Sequence, residues 1–266
     1  MTDNQNGAAR ITEVFRACGK AFIAYLMAGD PDLAQTRASI LALARGGADI
    51  IELGLPFSDP IAEGETIQAA NLRAFASKTE LSGIFELARS LKGELSAPLL
   101  FMTYLNPVFN FGYDAFFARC AACGVSGIII PDLPFEEQAE VAVYTKKHGV
   151  ALITLVAPTS GPRIAKIARG AEGYLYLVSS MGVTGVRGEI TTDLPALVAE
   201  IRRHTNVPVA IGFGVHSPEQ AGALSSLADG VIVGSAIVEL IARHAADAPK
   251  ILEAYARSMK SAMESK

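Results

Sequence analysis

Eight short apolar runs, each followed by a Gly/Pro/Ser turn and then a helix-period stretch, recur from one end of the chain to the other. The runs fall at 21–27, 49–53, 98–103, 127–130, 151–156, 174–178, 208–211 and 230–233. Helix-period segments lie between them at 33–45, 81–91, 114–123, 136–148, 163–168, 194–204 and 218–227. Near-continuous apolar strands alternating with helices predict a parallel sheet covered on both faces, because a strand with one wet face would alternate polar and apolar residues. Eight such units in 266 residues predict an α/β fold, a (β/α)8 barrel. Helices expected at 10–18 and 250–263 frame it, and no linker composition interrupts the chain, so one domain over 1–266 is expected. An open doubly wound sheet is the alternative, but Met27-Ala28-Gly29-Asp30 stands where its G-x-G-x-x-G turn would follow the first strand. Gly46, Gly124, Gly149 and Gly170 end helical stretches where a left-handed cap is expected.

Charge and composition remove several function classes. A net charge of −4 gives no electrostatic footprint for nucleic acid. Apolar runs such as Gly127-Ile128-Ile129-Ile130 are strand-sized, too short to span a bilayer. The polar stretch 1–10 carries no apolar signal region, so a cytoplasmic location is expected. Three cysteines are too few for a disulfide scaffold, and Cys120 and Cys123, though spaced C-x-x-C, sit on a helical pattern without a second Cys/His pair.

In such a barrel, chemistry belongs at the C-terminal strand ends and the loops after them. Glu52 stands there, at the end of the apolar run Ile50-Ile51, and burying an ionised carboxylate costs several kcal/mol unless it is paired or hydrogen-bonded. Glu63 follows in a Gly/Pro-rich loop. Other strand ends supply Tyr25, Tyr104, Asp132, Tyr174 with Tyr176, and Phe213. Gly214, Gly234 and Ser235 end the last two strands, and Gly185 lies in the loop after the sixth. Small residues let backbone N–H groups approach an anion, and a helix beginning at Ser235 points its positive end there, so a phosphate site is expected. No lysine stands at a strand end, which argues against a Schiff base, and only His216 lies near the active face, which argues against a metal centre. Acid–base chemistry by carboxylates remains, in an apolar and aromatic pocket suited to a flat substrate with a phosphate tail.

These residues occur within longer blocks. Glu52-Leu53-Gly54-Leu55-Pro56-Phe57-Ser58-Asp59-Pro60, Thr66-Ile67-Gln68, Ala28-Gly29-Asp30-Pro31, Asn106-Pro107, Pro131-Asp132-Leu133-Pro134, Gly182-Val183-Thr184-Gly185, Gly212-Phe213-Gly214-Val215 and Gly234-Ser235-Ala236-Ile237-Val238 resemble, in order, the tryptophan synthase alpha subunit family. The resemblance implies a TIM barrel that cleaves indole-3-glycerol phosphate to indole and glyceraldehyde 3-phosphate, without a cofactor in this subunit. It implies that Glu52 is the acid–base residue and that a second carboxylate meets the charge on the ring nitrogen. The family places an Asp there, in a Pro-Leu-Ala-Asp-Gly-Pro context. The aligned stretch here is Pro60-Ile61-Ala62-Glu63-Gly64-Glu65, so the carboxylate is one methylene longer and a rigid Pro is replaced by a second acid.

By the same resemblance, Gly185, Gly214, Gly234 and Ser235 surround the phosphate, and Tyr25, Tyr104, Tyr176 and Phe213 line the indole pocket. Thr184 lies on a mobile loop that closes over the site, and Asp132 helps to order that loop. The partner is a beta subunit that carries PLP and receives indole through a tunnel, in an alpha2beta2 heterotetramer. The stretches 55–66 and 106–110 are expected as its contact surface. Two other readings are a stand-alone indole-releasing lyase and a catalytically weakened subunit acting mainly as an allosteric activator of beta.

Overall fold

The strand residues face apolar surroundings on both sides: all seven residues of β1 (Ala21–Met27) and all five of β2 (Ile50–Gly54) are buried. Both faces of the sheet must therefore be covered, one by helices and one by the sheet itself. In the computed structural model, which describes residues 6–178, 193–212 and 214–264, the strands do this by closing into a parallel barrel in chain order. The remaining strands are β3 (Leu99–Met102), β4 (Val125–Ile129), β5 (Ala151–Val156), β6 (Leu175–Val178), β7 (Val209–Gly212) and β8 (Gly230–Val233), and β8 pairs back onto β1. The eight expected strands are all present, shifted by no more than two residues at either end.

Side chains alternate between the two faces. One set, with Phe22, Leu53, Phe101, Ile128, Leu177 and Val231, packs outward against the helical shell. The other set, with Ile23, Ile50, Leu100, Ile129, Ile153, Tyr176 and Ile232, fills the barrel. The bottom is plugged by α1 (Gly7–Cys18), which sends Ile11 and Phe15 into the interior; the Phe15 ring stands 5.8 Å from that of Tyr174. Carboxylates close the same rim: Asp49 accepts from the Phe22 N–H at 2.7 Å, Glu172 from Leu152 at 2.8 Å and Asp229 from Val209 at 2.9 Å. Each precedes one strand and satisfies a backbone donor at the start of the strand before it, which would otherwise lack a partner.

The outer helices are α2 (Leu33–Arg45), α3 (Glu65–Ala76), α4 (Leu81–Leu91), α5 (Leu105–Phe111), α6 (Tyr113–Cys123), α7 (Ala139–His148), α8 (Ile164–Gly170), α9 (Leu194–Arg202), α10 (Pro218–Ser225), α11 (Ser235–His244) and α12 (Ala248–Glu264). Two of them, α3 and α5, go beyond the sequence expectations, in which 67–76 held no helix and 106–110 was a contact loop, whereas 55–64 is a loop as expected. Pro107 reads as a breaker, yet it occupies the third position of α5, where a backbone N–H has no intrahelical acceptor to lose. Short 3-10 turns at Phe135–Glu137 and Pro158–Arg163 replace the first residues of the helices expected at 136–148 and 163–168. The four expected glycine caps divide. Gly124 and Gly149 are left-handed, but Gly46 has φ −75° and Gly170 is the last residue of its helix. Gly46 is small for another reason: a Cβ there would lie 2.5 Å from the Glu253 carbonyl oxygen of α12.

Cys120 and Cys123 are buried free thiols on α6, held well toward the neutral form chiefly by burial. No group of His, Cys, Asp and Glu suited to a metal ion occurs among the described residues. No described helix is long and apolar enough to cross a membrane.

Candidate active site

The C-terminal mouth of the barrel opens into a cavity of about 520 Å³. Tyr25, Glu63, Met102, Leu155, Tyr176, Gly214, Ile232, Gly234 and Ser235 contribute to its lining, along with Leu133, Phe135 and Arg163 from the loops after β4 and β5. Of the residues expected at strand ends, Tyr25, Glu63, Tyr176, Gly214, Gly234 and Ser235 line this space, whereas Glu52, Tyr104, Asp132 and Tyr174 are not part of its lining.

Glu52 lies on β2 in register with Tyr25 of β1 and Leu100 of β3, and it is completely buried. Its Oε1 accepts the hydroxyl hydrogen of Tyr174, which arrives from the opposite side of the barrel. Its Oε2 has no hydrogen-bond partner among the described residues. Burial raises its pKa to about 7, against the lowering effect of the Tyr174 hydroxyl. A carboxyl group with that affinity for protons is suited both to give and to take one near neutral pH. The sequence reading placed Tyr174 at a strand end beside Tyr176. It instead precedes β6, one layer deeper, where it serves the carboxylate.

Glu63 reaches the cavity from the loop between β2 and α3. Asn71 of α3 donates to its Oε2 at 2.6 Å, and Gln68 donates to its backbone carbonyl at 2.7 Å. Its pKa is also raised to about 7, by burial, with Asn71 opposing. Tyr25 stands by both acids: burial first, then Glu63 and Glu52, push its phenol well above the usual range, so it remains a neutral donor. Asn71 was not singled out from sequence, and Gln68 was named only within the Thr66-Ile67-Gln68 block, without a role. The signal was there in the apolar spacing of Ile67, Ala70 and Ala74, which puts Asn71 on the same inward face.

Glu65 opens α3 and is exposed. Tyr104 does not line the cavity. Its hydroxyl accepts from the Ala62 N–H at 2.9 Å and its ring stands 5.0 Å from that of Phe57, so it braces the loop that carries Glu63. Asp132 accepts from the Leu105 N–H at 2.9 Å and thereby caps α5. Asp30, another strand-end acid, pairs with Arg73 through bonds of 2.6 and 2.8 Å and takes no part in the cavity lining.

Gly214, Gly234 and Ser235, the residues expected to hold an anion, all line the cavity. Gly214 has φ +80°, a left-handed conformation that L side chains rarely adopt. Its carbonyl accepts from His216 Nδ1 at 3.1 Å, and Tyr255 of α12 donates to the His216 carbonyl at 2.9 Å, so His216 fixes the turn instead of lining the cavity. Gly234 caps α11, whose free N–H groups open at Ser235. Thr184, Gly185 and Phe213 lie outside the described residues.

Comparison with known proteins agrees with this geometry. The family model described as tryptophan synthase alpha chain matches residues 13–265. The alpha chain of Lacticaseibacillus casei is 49% identical over 258 residues, covering 97% of each chain. That of Lactiplantibacillus plantarum is 50% identical over 255 residues, covering 96% of each. Among solved structures, a chain of Mycobacterium tuberculosis tryptophan synthase superposes with a TM-score of 0.88 at 34% identity, over 97% of this chain and 99% of that one. Tryptophan synthase subunit alpha of Legionella pneumophila gives 0.86 at 33%, over 97% and 99%. With matches of this identity along nearly its whole length, the chain belongs to the tryptophan synthase alpha chain family, the lyase subunit that cleaves indole-3-glycerol phosphate and passes indole to the beta subunit.

Proposed function

We propose that Glu52 and Glu63 carry the cleavage as a pair, without a cofactor in this chain. The observation behind this reading is that both carboxyls are buried at one barrel mouth and both have their pKa raised to about 7. Protonated Glu52 gives its proton to C3 of the indole ring. The positive charge that forms on the ring nitrogen is met by the Glu63 carboxylate, whose own proton affinity falls beside a cation. Glu52, now ionised, takes the proton of the glycerol hydroxyl as the carbon–carbon bond breaks. The bond's electron pair returns to the ring and restores indole, the aldehyde leaves, and Glu52 holds the proton with which the next cycle starts.

Gly214, Gly234 and Ser235 hold the phosphate through backbone N–H groups and the N-terminus of α11. Tyr25 and Tyr176 flank the ring, and Tyr104 supports it through the Glu63 loop. Asp132 orders the rim of the site through the first N–H of α5. The partner is a PLP-bearing beta subunit in an alpha2beta2 assembly. Exposed Ile61, in the loop before α3, and exposed Phe109, on α5, give this face the apolar character of a contact surface.

The test is indole release from indole-3-glycerol phosphate by the purified chain after dialysis against a chelator, with and without beta subunit. Turnover in both conditions, faster with beta, is expected. Turnover that requires an added metal or cofactor would overturn the carboxylate mechanism.

A further inference from the structure

One side chain grips the second carboxylate from behind. Asn71, on the second turn of α3, is only 3% exposed. Its Oδ1 accepts from the Phe57 N–H at 3.0 Å, and its Nδ2 donates to Glu63 Oε2 at 2.6 Å and to the Ile67 carbonyl at 3.4 Å. The backbone donor at Phe57 settles which way the amide faces, since a flipped Asn71 would set donor against donor and acceptor against acceptor. One turn earlier, Gln68 Nε2 holds the Glu63 carbonyl at 2.7 Å. Helix α3 therefore holds Glu63 by main chain and side chain, and through Phe57 it holds the start of the same loop.

We infer that Asn71 is a positioning residue for Glu63. By occupying Oε2 it leaves Oε1 as the oxygen presented to the cavity. By drawing the carboxylate back toward α3 it takes up the extra methylene that Glu63 carries relative to the Asp of the family. An amide can only donate through Nδ2, so it also favours the ionised carboxylate over the acid that burial favours. The other titratable groups around Glu63 are the Tyr25 phenol from β1, the Tyr104 phenol after β3 and, beside Tyr25, Glu52 from β2; both phenols are pushed up and stay neutral. The inference rests on the reading of Glu63 as catalytic.

Asn71→Asp keeps the acceptor for Phe57 and removes the donor to Glu63, and Asn71→Ser removes the reach to either. The measurement is kcat and KM for indole-3-glycerol phosphate across the pH range, with saturating beta subunit, for both variants and for Glu63→Ala. Both Asn71 variants should lose about 10- to 100-fold in kcat, the scale of a displaced catalytic group. KM should change far less, and the acid limb of the kcat profile should move to higher pH, because the carboxylate has lost a donor. If either variant folds and keeps the wild-type kcat and pH profile, or loses kcat with an unmoved profile, Asn71 is merely structural and the inference fails. If Glu63→Ala turns over at the wild-type rate, it is the reading of Glu63 that fails.

Discussion

The ring of Tyr25 occupies the space that a side chain at Gly54 would need: a Cβ there would lie 2.3 Å from the Tyr25 hydroxyl oxygen and 2.8 Å from its Cζ. Gly54 stands two residues beyond Glu52 on β2, on the same face. The same device recurs across the barrel, where a Cβ on Gly212 would meet the Tyr176 hydroxyl at 2.5 Å. At each place a strand-end glycine allows the tyrosine of the preceding strand to lie over the mouth.

Gly54→Ala is therefore expected to force Tyr25 aside and to destabilise the fold by about 1–3 kcal/mol, the usual cost of overpacking. Tyr25→Leu, which removes both clashing atoms, should recover most of that loss in the double variant. Urea unfolding of the two single variants and the double one checks this. Additive losses would show that Tyr25 is not what Gly54 makes room for.

A carboxyl group buried without a full set of partners should cost stability. The folded pKa of Glu52 is raised to about 7 from an ordinary value of 4.5. Below the unfolded value both states are protonated and Glu52 costs nothing. As pH rises, the unfolded chain ionises while the folded one retains its proton, so stability falls and levels off above the folded pKa. The loss is about 3 kcal/mol. Glu52→Gln keeps the volume and an acceptor for Tyr174 but does not titrate. It should match the wild type in stability near pH 4.5 and exceed it by about 3 kcal/mol near pH 8, while losing about 100-fold or more in turnover. A variant less stable than the wild type at both pH values would mean that the ionised carboxylate holds the barrel together.

The strand ends made much of this site legible in the sequence. Glu52 announced itself as a carboxylate in an apolar run, and Gly214, Gly234 and Ser235 as small residues at consecutive ends. What stayed hidden were partners. Tyr174 and Glu52 are 122 positions apart and meet because the barrel closes, which no local pattern states. Asn71 was hidden for a different reason: α3 is alanine-rich and opens at Gly64 without a side-chain cap, so the helix itself went unread. Tyr104 and Asp132 were read correctly as strand-end residues, but their side chains turned to loop and helix backbone, a choice set by tertiary context.

The proposed phosphate site yields a sharper substitution. A Cβ on Gly234 would stand 3.2 Å from Cδ1 of Tyr25, close enough that the ring must give slightly. Gly234→Ala should therefore fold with a small loss of affinity. Gly234→Asp adds a negative charge beside the α11 N-terminus, where an anion is expected, and should weaken glycerol 3-phosphate binding by about 10-fold or more, since opposing charge at a helix end is worth about 1–2 kcal/mol. Calorimetric titration of both variants decides the matter, and unchanged affinity in Gly234→Asp would move the phosphate to another part of the cavity.

The two acids of the loop before α3 separate cleanly in the structure. Glu63 is buried, faces the cavity and is held by Asn71, whereas Glu65 is exposed at the first position of α3. An acid in that position favours the helix N-terminus by a few tenths of a kcal/mol up to about 1 kcal/mol, and has no need of the pocket. The Glu63 carboxyl with its pKa of about 7 is a different case, because burial penalises its charge, and on the proposed mechanism a cationic ring nitrogen would relieve that penalty. Glu63→Ala should therefore abolish indole release, and Glu65→Ala should leave it nearly intact. Glu63→Asp keeps the charge but shortens the arm, on a loop held for the longer side chain, so it should retain measurable turnover below that of the wild type. All three are read by indole formation with saturating beta subunit. Activity in Glu63→Ala together with an inactive Glu65→Ala would place the second catalytic carboxylate two residues further along, on the helix instead of the loop.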